Sequence, residues 1–102
     1  MSKKVLIIDD DTDLCLLLSR LLNKNDFETS IAPSGQKGIT QYNSQSFDAV
    51  ICDYRLGDMD GIQVIRALKK INPQAAILVI TGYSDIKTAV EVIKEGAYDY
   101  II

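Results

Sequence analysis

Three aspartates stand where apolar runs of the sequence end. Asp9 and Asp10 follow the run Val5–Ile8. Asp53 follows the run Ala49–Cys52. Apolar runs of this length are typical of buried strands, and carboxylates gathered at strand ends repel one another unless a cation lies among them. A hard divalent metal prefers oxygen ligands of this kind, so the sequence predicts a site for Mg²⁺.

A carboxylate beside such a cation can act as a nucleophile toward phosphorus and form an aspartyl phosphate. We assign this role to Asp53, because it stands alone after its apolar run, whereas the pair Asp9 and Asp10 is suited to holding the metal. Thr81, directly after another apolar run, offers a hydroxyl donor to a phosphoryl oxygen. Taken alone, Thr81 is more simply explained as an ordinary residue at the end of a strand.

The composition is that of one ordinary globular domain over residues 1–102. Apolar residues make up 47% and charged residues 25% of the chain. No apolar run approaches the ~20 residues that a membrane span needs. The apolar run that follows Lys3 and Lys4 ends before Asp9 and is too short for a signal peptide, which argues against export. The net charge of −3 gives no reason to expect nucleic-acid binding. We therefore expect a cytoplasmic protein that binds neither membrane nor nucleic acid directly.

Histidine and cysteine usage excludes several kinds of site. The chain has no histidine, so catalytic triads, zinc sites and phosphoryl carriers that depend on histidine are excluded within it. Cys15 and Cys52 lack CxxC spacing and lie among apolar residues, so we expect buried, reduced thiols. Of the 14 acidic residues 11 are aspartate, and their concentration in the stretches 9–13 and 53–60 favours a built site over a solvated acidic surface.

Apolar runs alternate with amphipathic stretches, which predicts an α/β fold with five strands and four helices. The strands are expected at Lys4–Ile8, Phe27–Ile31, Asp48–Cys52, Ala76–Ile80 and Tyr98–Ile102. The helices are expected at Thr12–Lys24, from the cap Ser34 to about Tyr42, between Gly61 and Asn72, and from the cap Ser84 to Gly96. Helix 1 carries an apolar stripe formed by Leu14, Leu17, Leu18, Leu21 and Leu22. Alternation of this kind predicts parallel strands whose carboxyl ends share one edge, where the acidic residues and Thr81 would meet.

The other aspartates of the two acidic stretches have simpler structural explanations. Asp11 and Asp13 stand at the expected start of helix 1, where the helix dipole favours carboxylates. Asp58 and Asp60 lie among glycines and are expected in a turn or as the cap of helix 3. We therefore do not count these four among the site residues.

Five segments together resemble the receiver domain of two-component response regulators. They are Ile7–Asp11, Val50–Leu56, Met59–Gly61, Ile80–Gly82 and Gly96–Tyr100. The stretch Thr81–Val90 is similar to receivers of the enhancer-binding, NtrC-type transcriptional activators. The resemblance implies a flavodoxin-like (CheY-like), doubly wound parallel sheet of five strands in the order 2-1-3-4-5.

The resemblance also implies a signalling module rather than an enzyme. Asp53 would accept a phosphoryl group from a sensor histidine kinase. Mg²⁺ would be held by Asp9, Asp10 and Asp53 together with the backbone carbonyl of Arg55. Thr81 and Tyr100 would form the switch pair that passes the change to an output domain, which we expect to act in transcription.

The sequence departs from the receiver pattern at its end. The lysine expected after strand 5 would be residue 103, beyond Ile102, and the fifth helix would follow it. The resemblance thus implies a receiver truncated at its C-terminal end, with apolar sheet surface uncovered near strands 1 and 5. We expect a dimer or a segment-exchanged oligomer to cover that surface. A smaller departure is Gly57, where many receivers carry proline.

Three other functions are weighed against the signalling receiver. A truncated receiver could fold or self-associate without signalling, because the lysine is missing. A phosphatase of the haloacid-dehalogenase type would need Asp-x-Asp-x-Thr, whereas Thr12 stands one place early. A flavodoxin-like FMN carrier would need a phosphate-binding loop after strand 1, where the acidic run would repel phosphate.

Overall fold

The computed structural model describes residues 3–80 and 86–101, and within them five strands alternate with four helices. The strands are β1 Lys3–Ile8, β2 Phe27–Ala32, β3 Ala49–Asp53, β4 Ile77–Ile80 and β5 Asp99–Ile101. The helices are α1 Thr12–Lys24, α2 Gly35–Ser44, α3 Gly61–Ile71 and α4 Ile86–Lys94. The predicted elements are confirmed with small shifts of their ends, except that the predicted cap Ser84 lies outside the described residues.

All neighbouring strands of the sheet are parallel, and their order is β2-β1-β3-β4-β5, as predicted. Parallel neighbours require crossover connections, and the helices supply them. From β1 the chain first forms β2 on one lateral side of β1, and it then crosses back to form β3 on the other lateral side. The carboxyl ends of β1 and β3 therefore flank the point at which the strand order reverses, which is where sheets of this kind form their sites.

The sheet separates two apolar clusters of unequal size. Successive residues of β1 point to opposite faces, so Leu6 and Ile8 join the larger cluster while Val5 and Ile7 join the smaller one. The larger cluster continues through buried side chains of α2, α3 and α4, namely Tyr42, Val64, Ile65, Leu68 and Val92. The smaller cluster lies under α1, which buries Cys15 against β1. Cys15 and Cys52 are both buried free thiols, as predicted.

The leucine stripe predicted for α1 is only partly buried, which corrects the prediction. Leu18 and Leu22 pack against the smaller cluster. Leu17 and Leu21 remain 54% and 51% exposed. Beside this helix an apolar cleft of about 280 Å³ opens over the sheet, and its lining includes Leu22, Phe27, Ile51, Leu78 and Tyr98. The described part of the chain thus carries apolar surface near strands 1 and 5, where it was predicted.

Two further observations concern the helices. Gly96 ends α4 with φ of 113°, in the left-handed region that the sequence predicted for it. Arg66 of α3 forms a two-bond ion pair with Glu95 beyond α4, with distances of 2.9 Å from Nε to Oε2 and 2.7 Å from Nη2 to Oε1. Among the described helices, none has the length and apolar character needed to cross a membrane.

Candidate phosphoryl-accepting acidic site

The structure brings Asp9, Asp10 and Asp53 together at the carboxyl edge of the sheet. Asp9 directly follows β1, and Asp53 is the last residue of β3 rather than the first residue after it, because it still pairs with Ile80 of β4. Each of the three aspartates offers one carboxylate oxygen, and these oxygens lie within 4.8 Å of one another. The strand register explains the meeting, since Ile8 and Cys52, the residues just before Asp9 and Asp53, are paired neighbours.

Asp9 is held in place by its surroundings and is only 7% exposed. Its Oδ1 accepts a hydrogen bond from the Asp11 amide at 3.0 Å, and its own amide donates to the Ala32 carbonyl at 3.1 Å. The Cys15 thiol donates to the Asp9 carbonyl at 3.4 Å. Burial raises the pKa of Asp9, the Asp11 amide partly offsets this effect, and the neighbouring charge of Asp10 raises the pKa further.

Asp53 has the more perturbed carboxyl group of the two. The pKa of Asp53 is raised to about 6, mainly by burial and next by the negative charge of Asp9. The charge of Asp10 adds to the rise. The backbone amides of Tyr54 and Arg55 donate to the carboxylate and oppose the rise. The ionised form of Asp53 is therefore disfavoured by its neighbours at neutral pH, which a positive charge among the three carboxylates would reverse.

The three carboxylates fit a hard divalent cation. They supply oxygen donors only, they converge on one place, and they carry negative charge that nothing in the cluster itself compensates. Mg²⁺ takes ligands of this kind and usually keeps several waters in addition. Arg55, whose carbonyl the resemblance assigns to the metal, lies two residues beyond Asp53 in the loop between β3 and α3. Its role as a ligand stays a prediction.

The predicted switch pair is not tested by the structure. Thr81 lies outside the described residues. Tyr100 lies in β5, with its backbone paired to Val79 of β4. The contributions of Thr81 and Tyr100 to switching therefore stay predictions.

The other aspartates have defined structural roles. Asp11 caps α1, since its Oδ1 accepts from the Leu14 amide at 3.1 Å. Asp60 caps α3 in a capping box with Gln63, whose side chain accepts in return from the Asp60 amide. Both roles agree with the sequence prediction. Asp58 contacts α2 instead, which sequence reasoning missed because its partners Gly35 and Gln36 lie 23 and 22 residues away.

The sequence matches the response regulator receiver domain family over residues 5–102. This chain belongs to that family. It is 41% identical over 98 residues to the transcriptional regulatory protein ZraR of Escherichia coli K12, covering 96% of this chain and 22% of ZraR. The receiver therefore spans about a fifth of the length of this relative.

Solved structures agree with the assignment to the receiver family. A response regulator from Burkholderia pseudomallei, solved with a phosphorylated aspartic acid, a calcium ion and citrate, superposes with a TM-score of 0.92 at 32% identity, covering 98% of this chain and 59% of that one. The beryllofluoride-activated NtrC4 receiver domain dimer superposes with a TM-score of 0.91 at 28% identity, covering 96% and 81%. The resemblance to receivers of the NtrC type is thereby confirmed together with the fold.

Proposed function

We propose that this receiver accepts a phosphoryl group on Asp53 and relays it as a signal. The observation that carries the proposal is the convergence of Asp9, Asp10 and Asp53, with carboxylate oxygens within 4.8 Å, at the point where the strand order reverses. Asp53 is the acceptor because it ends the central strand β3, where it is still paired with Ile80 of β4. Asp9 and Asp10 flank it as the metal-holding pair.

The phosphoryl donor in this proposal is a phosphohistidine of a sensor histidine kinase. A carboxylate oxygen of Asp53 attacks the phosphorus atom in line with the leaving imidazole. The new O–P bond forms as the N–P bond breaks, and the electron pair of the broken bond stays on the histidine ring, which takes up a proton. The chain itself has no histidine, so the donor is another protein or domain.

Mg²⁺ would be held by Asp9, Asp10 and Asp53, with the carbonyl of Arg55 as a further ligand. When bound, the cation neutralises negative charge on the carboxylates and on the phosphoryl oxygens. Thr81 and Tyr100 carry the change toward an output domain, which we place in transcription control by analogy with ZraR, itself a transcriptional regulatory protein.

The test is the intact mass of the protein after incubation with Mg²⁺ and acetyl phosphate. The expected result is the gain of one phosphoryl group by the parent chain, with none in Asp53→Asn and none in the parent when the metal is chelated. A gain that persists in Asp53→Asn would place the acceptor elsewhere. Replacing acetyl phosphate by phosphorylated sensor kinase then tests the proposed partner.

A second candidate function is a receiver that folds and self-associates without signalling. The apolar cleft beside α1 favours it, because exposed surface of this kind promotes association. The two candidates differ in one outcome. A signalling receiver changes its conformation or its association on phosphorylation, whereas the second candidate takes up the phosphoryl group, or fails to, with no change in either property.

A further inference from the structure

The loop between β3 and α3, residues 54–60, is bonded to the start of α2. Both carboxylate oxygens of Asp58 are used: Oδ1 accepts from the Gly35 amide at 3.0 Å and Oδ2 from the Gln36 amide at 2.9 Å. Amides in the first turn of a helix have no partner within the helix itself. Asp58 therefore supplies acceptors for two amides at the start of α2. These two hydrogen bonds join segments that are remote in sequence.

A steric contact lies at the same junction. A Cβ atom built on Gly35 would come within 2.4 Å of Met59 Cγ and 2.6 Å of Met59 Sδ. Gly35 is buried, and Met59 packs against the larger apolar cluster. The residue next to Asp58 is thus packed directly on the backbone of α2, so that the polar contact and the packing contact hold the loop at the same place.

Backbone hydrogen bonds also join residues within the loop, so that a displacement of Asp58 would move the other residues of the loop. The Leu56 amide donates to the Met59 carbonyl at 3.1 Å, and the Gly61 amide donates to the Tyr54 carbonyl at 2.7 Å. Arg55 and Asp60 form an antiparallel bridge. The stem of this loop is the pair Tyr54 and Arg55, which directly follows Asp53, and the Tyr54 amide donates to the Ile80 carbonyl of β4 at 3.2 Å.

We propose that Asp58 is a positioning residue of the acidic site, which fixes the loop 54–60 against α2 and thereby holds Arg55 in place beside Asp53. The inference rests on the proposed function, because it assumes that the loop backbone serves metal binding and phosphoryl uptake. The helix dipole of α2 adds to the contact, since it favours a carboxylate at its start.

The test compares Asp58→Ala and Asp58→Asn with Ser34→Ala. Ser34 is the matched control because its Oγ caps the same helix through a bond to the Lys37 amide at 3.2 Å, within the helix. Loss of either cap weakens α2, but only the loss of Asp58 releases the loop. The measurements are the Mg²⁺ dissociation constant by calorimetry and the rate of phosphoryl uptake from acetyl phosphate by intact mass, on variants whose folding is checked by circular dichroism.

Asp58→Ala is expected to weaken Mg²⁺ binding roughly tenfold, as loss of an outer-shell contact does in metal sites, and to slow phosphoryl uptake. Asp58→Asn is expected to lie between parent and alanine variant, because its amide group has one acceptor oxygen for two donors. Ser34→Ala is expected to leave both quantities within about twofold while lowering the melting temperature. If Asp58→Ala does not fold, the comparison of Asp58→Asn with Ser34→Ala decides.

Equal effects in the Asp58 and Ser34 variants would overturn the inference and leave Asp58 as a helix cap only. Mg²⁺ binding by Asp58→Ala at parent strength would overturn it as well. A parent chain that binds Mg²⁺ and takes up no phosphoryl group would refute the proposed phosphorylation, while the Mg²⁺ affinities would still decide the role of Asp58. A parent chain that binds no Mg²⁺ would refute both.

Discussion

Asp53 carries a negative charge that its surroundings disfavour at neutral pH. Burial and the charges of Asp9 and Asp10 raise its pKa to about 6, against an ordinary value near 3.8. A group whose pKa is higher in the folded than in the unfolded chain stabilises the fold most at low pH. That contribution is present below the unfolded pKa and is lost as pH rises through about 6. The site itself should therefore destabilise the metal-free protein at neutral pH.

We expect the free energy of unfolding of the metal-free parent to increase as pH falls from about 7 to about 5. Asp53→Asn should show a smaller increase, because Asp9 is then the one described carboxyl group whose pKa is raised. Asp58 and Glu95 have lowered pKa values and act at more acidic pH, outside this window. Urea unfolding in EDTA at several pH values measures the effect. Identical pH profiles for parent and Asp53→Asn would contradict it.

Mg²⁺ should reverse the destabilisation at neutral pH. A cation that binds only the folded chain stabilises it by about 1.4 kcal/mol when its concentration is tenfold above its dissociation constant. The melting temperature of the parent is therefore expected to rise with Mg²⁺ concentration near pH 7 and to rise less near pH 5, where Asp53 is protonated. Asp53→Asn, with one carboxylate fewer, should respond less than the parent near pH 7 and about as much as the parent near pH 5. Equal responses of parent and variant near pH 7 would show that Asp53 does not take part in binding.

The meeting of the acidic residues could be predicted from the sequence, whereas the contact of Asp58 could not. Asp9 and Asp53 each follow an apolar run, and parallel strands leave such residues at one edge. Asp58 has no comparable signal, because its two partners are backbone amides of a distant helix. The nearby glycines, Gly57 and Gly61, indicate a turn but do not indicate which groups the Asp58 carboxylate binds. The raised pKa of Asp53 likewise depends on burial, which spacing does not reveal.

At the scale of elements, α2 is held close to β1 by a glycine. A Cβ atom on Gly38 would lie 2.4 Å from Cδ1 and 2.7 Å from Cγ1 of Ile8, which is fully buried. In sequence, a glycine within a helix lowers the expectation of a helix. Here the residue is favoured by packing, since no larger side chain fits between helix and strand. The reason for a glycine at position 38 is a tertiary contact, which the sequence pattern does not indicate.

Gly38→Ala is expected to destabilise the protein by about 1–2 kcal/mol, because overpacking outweighs the gain in helix propensity. Ile8→Val removes Cδ1, the nearer of the two atoms that would clash, and keeps Cγ1, so it relieves the overlap in part. By itself it costs about 0.5–1.5 kcal/mol. The double variant should be more stable than the sum of the two losses predicts. Chemical denaturation of the four proteins measures this coupling. Additive losses would mean that the helix moves away from the strand instead of clashing with Ile8.

Helix α1 shows how much an amphipathic pattern leaves undecided. Ser19 bonds Thr29 of β2 with 2.6 Å between hydroxyl oxygens, which turns that edge of the helix toward β2. At about 100° per residue, Leu17 and Leu21 lie on the opposite edge. The pattern predicted the helix and its approximate buried face. Which leucines of that face are buried depends on the strands that pack against the helix, and the pattern does not indicate these.

At the scale of the whole molecule, strand order and helix placement follow from alternation and handedness, but the covering of the sheet is unequal. Among the described helices, α2, α3 and α4 contribute to the larger apolar cluster, whereas α1 contributes to the smaller one. The apolar cleft is lined by Leu22 of α1, the residue next to the exposed Leu21, and by Tyr98, which is 83% exposed. With a net charge of only −3, electrostatic repulsion between copies is weak. The isolated chain is therefore expected to self-associate through this face.

Leu21→Lys tests this expectation, with Leu16→Lys as the matched control. Both leucines lie on α1 and are about half exposed, at 51% and 48%, but Leu16 lies toward the β2 side of the helix. A charge at the centre of an apolar interface is expected to weaken association at least about tenfold, whereas a charge outside it has little effect. Sedimentation velocity over a wide concentration range gives the dissociation constant for each protein. A parent chain that stays monomeric throughout, or equal effects of the two lysines, would show that this face does not bind a second copy.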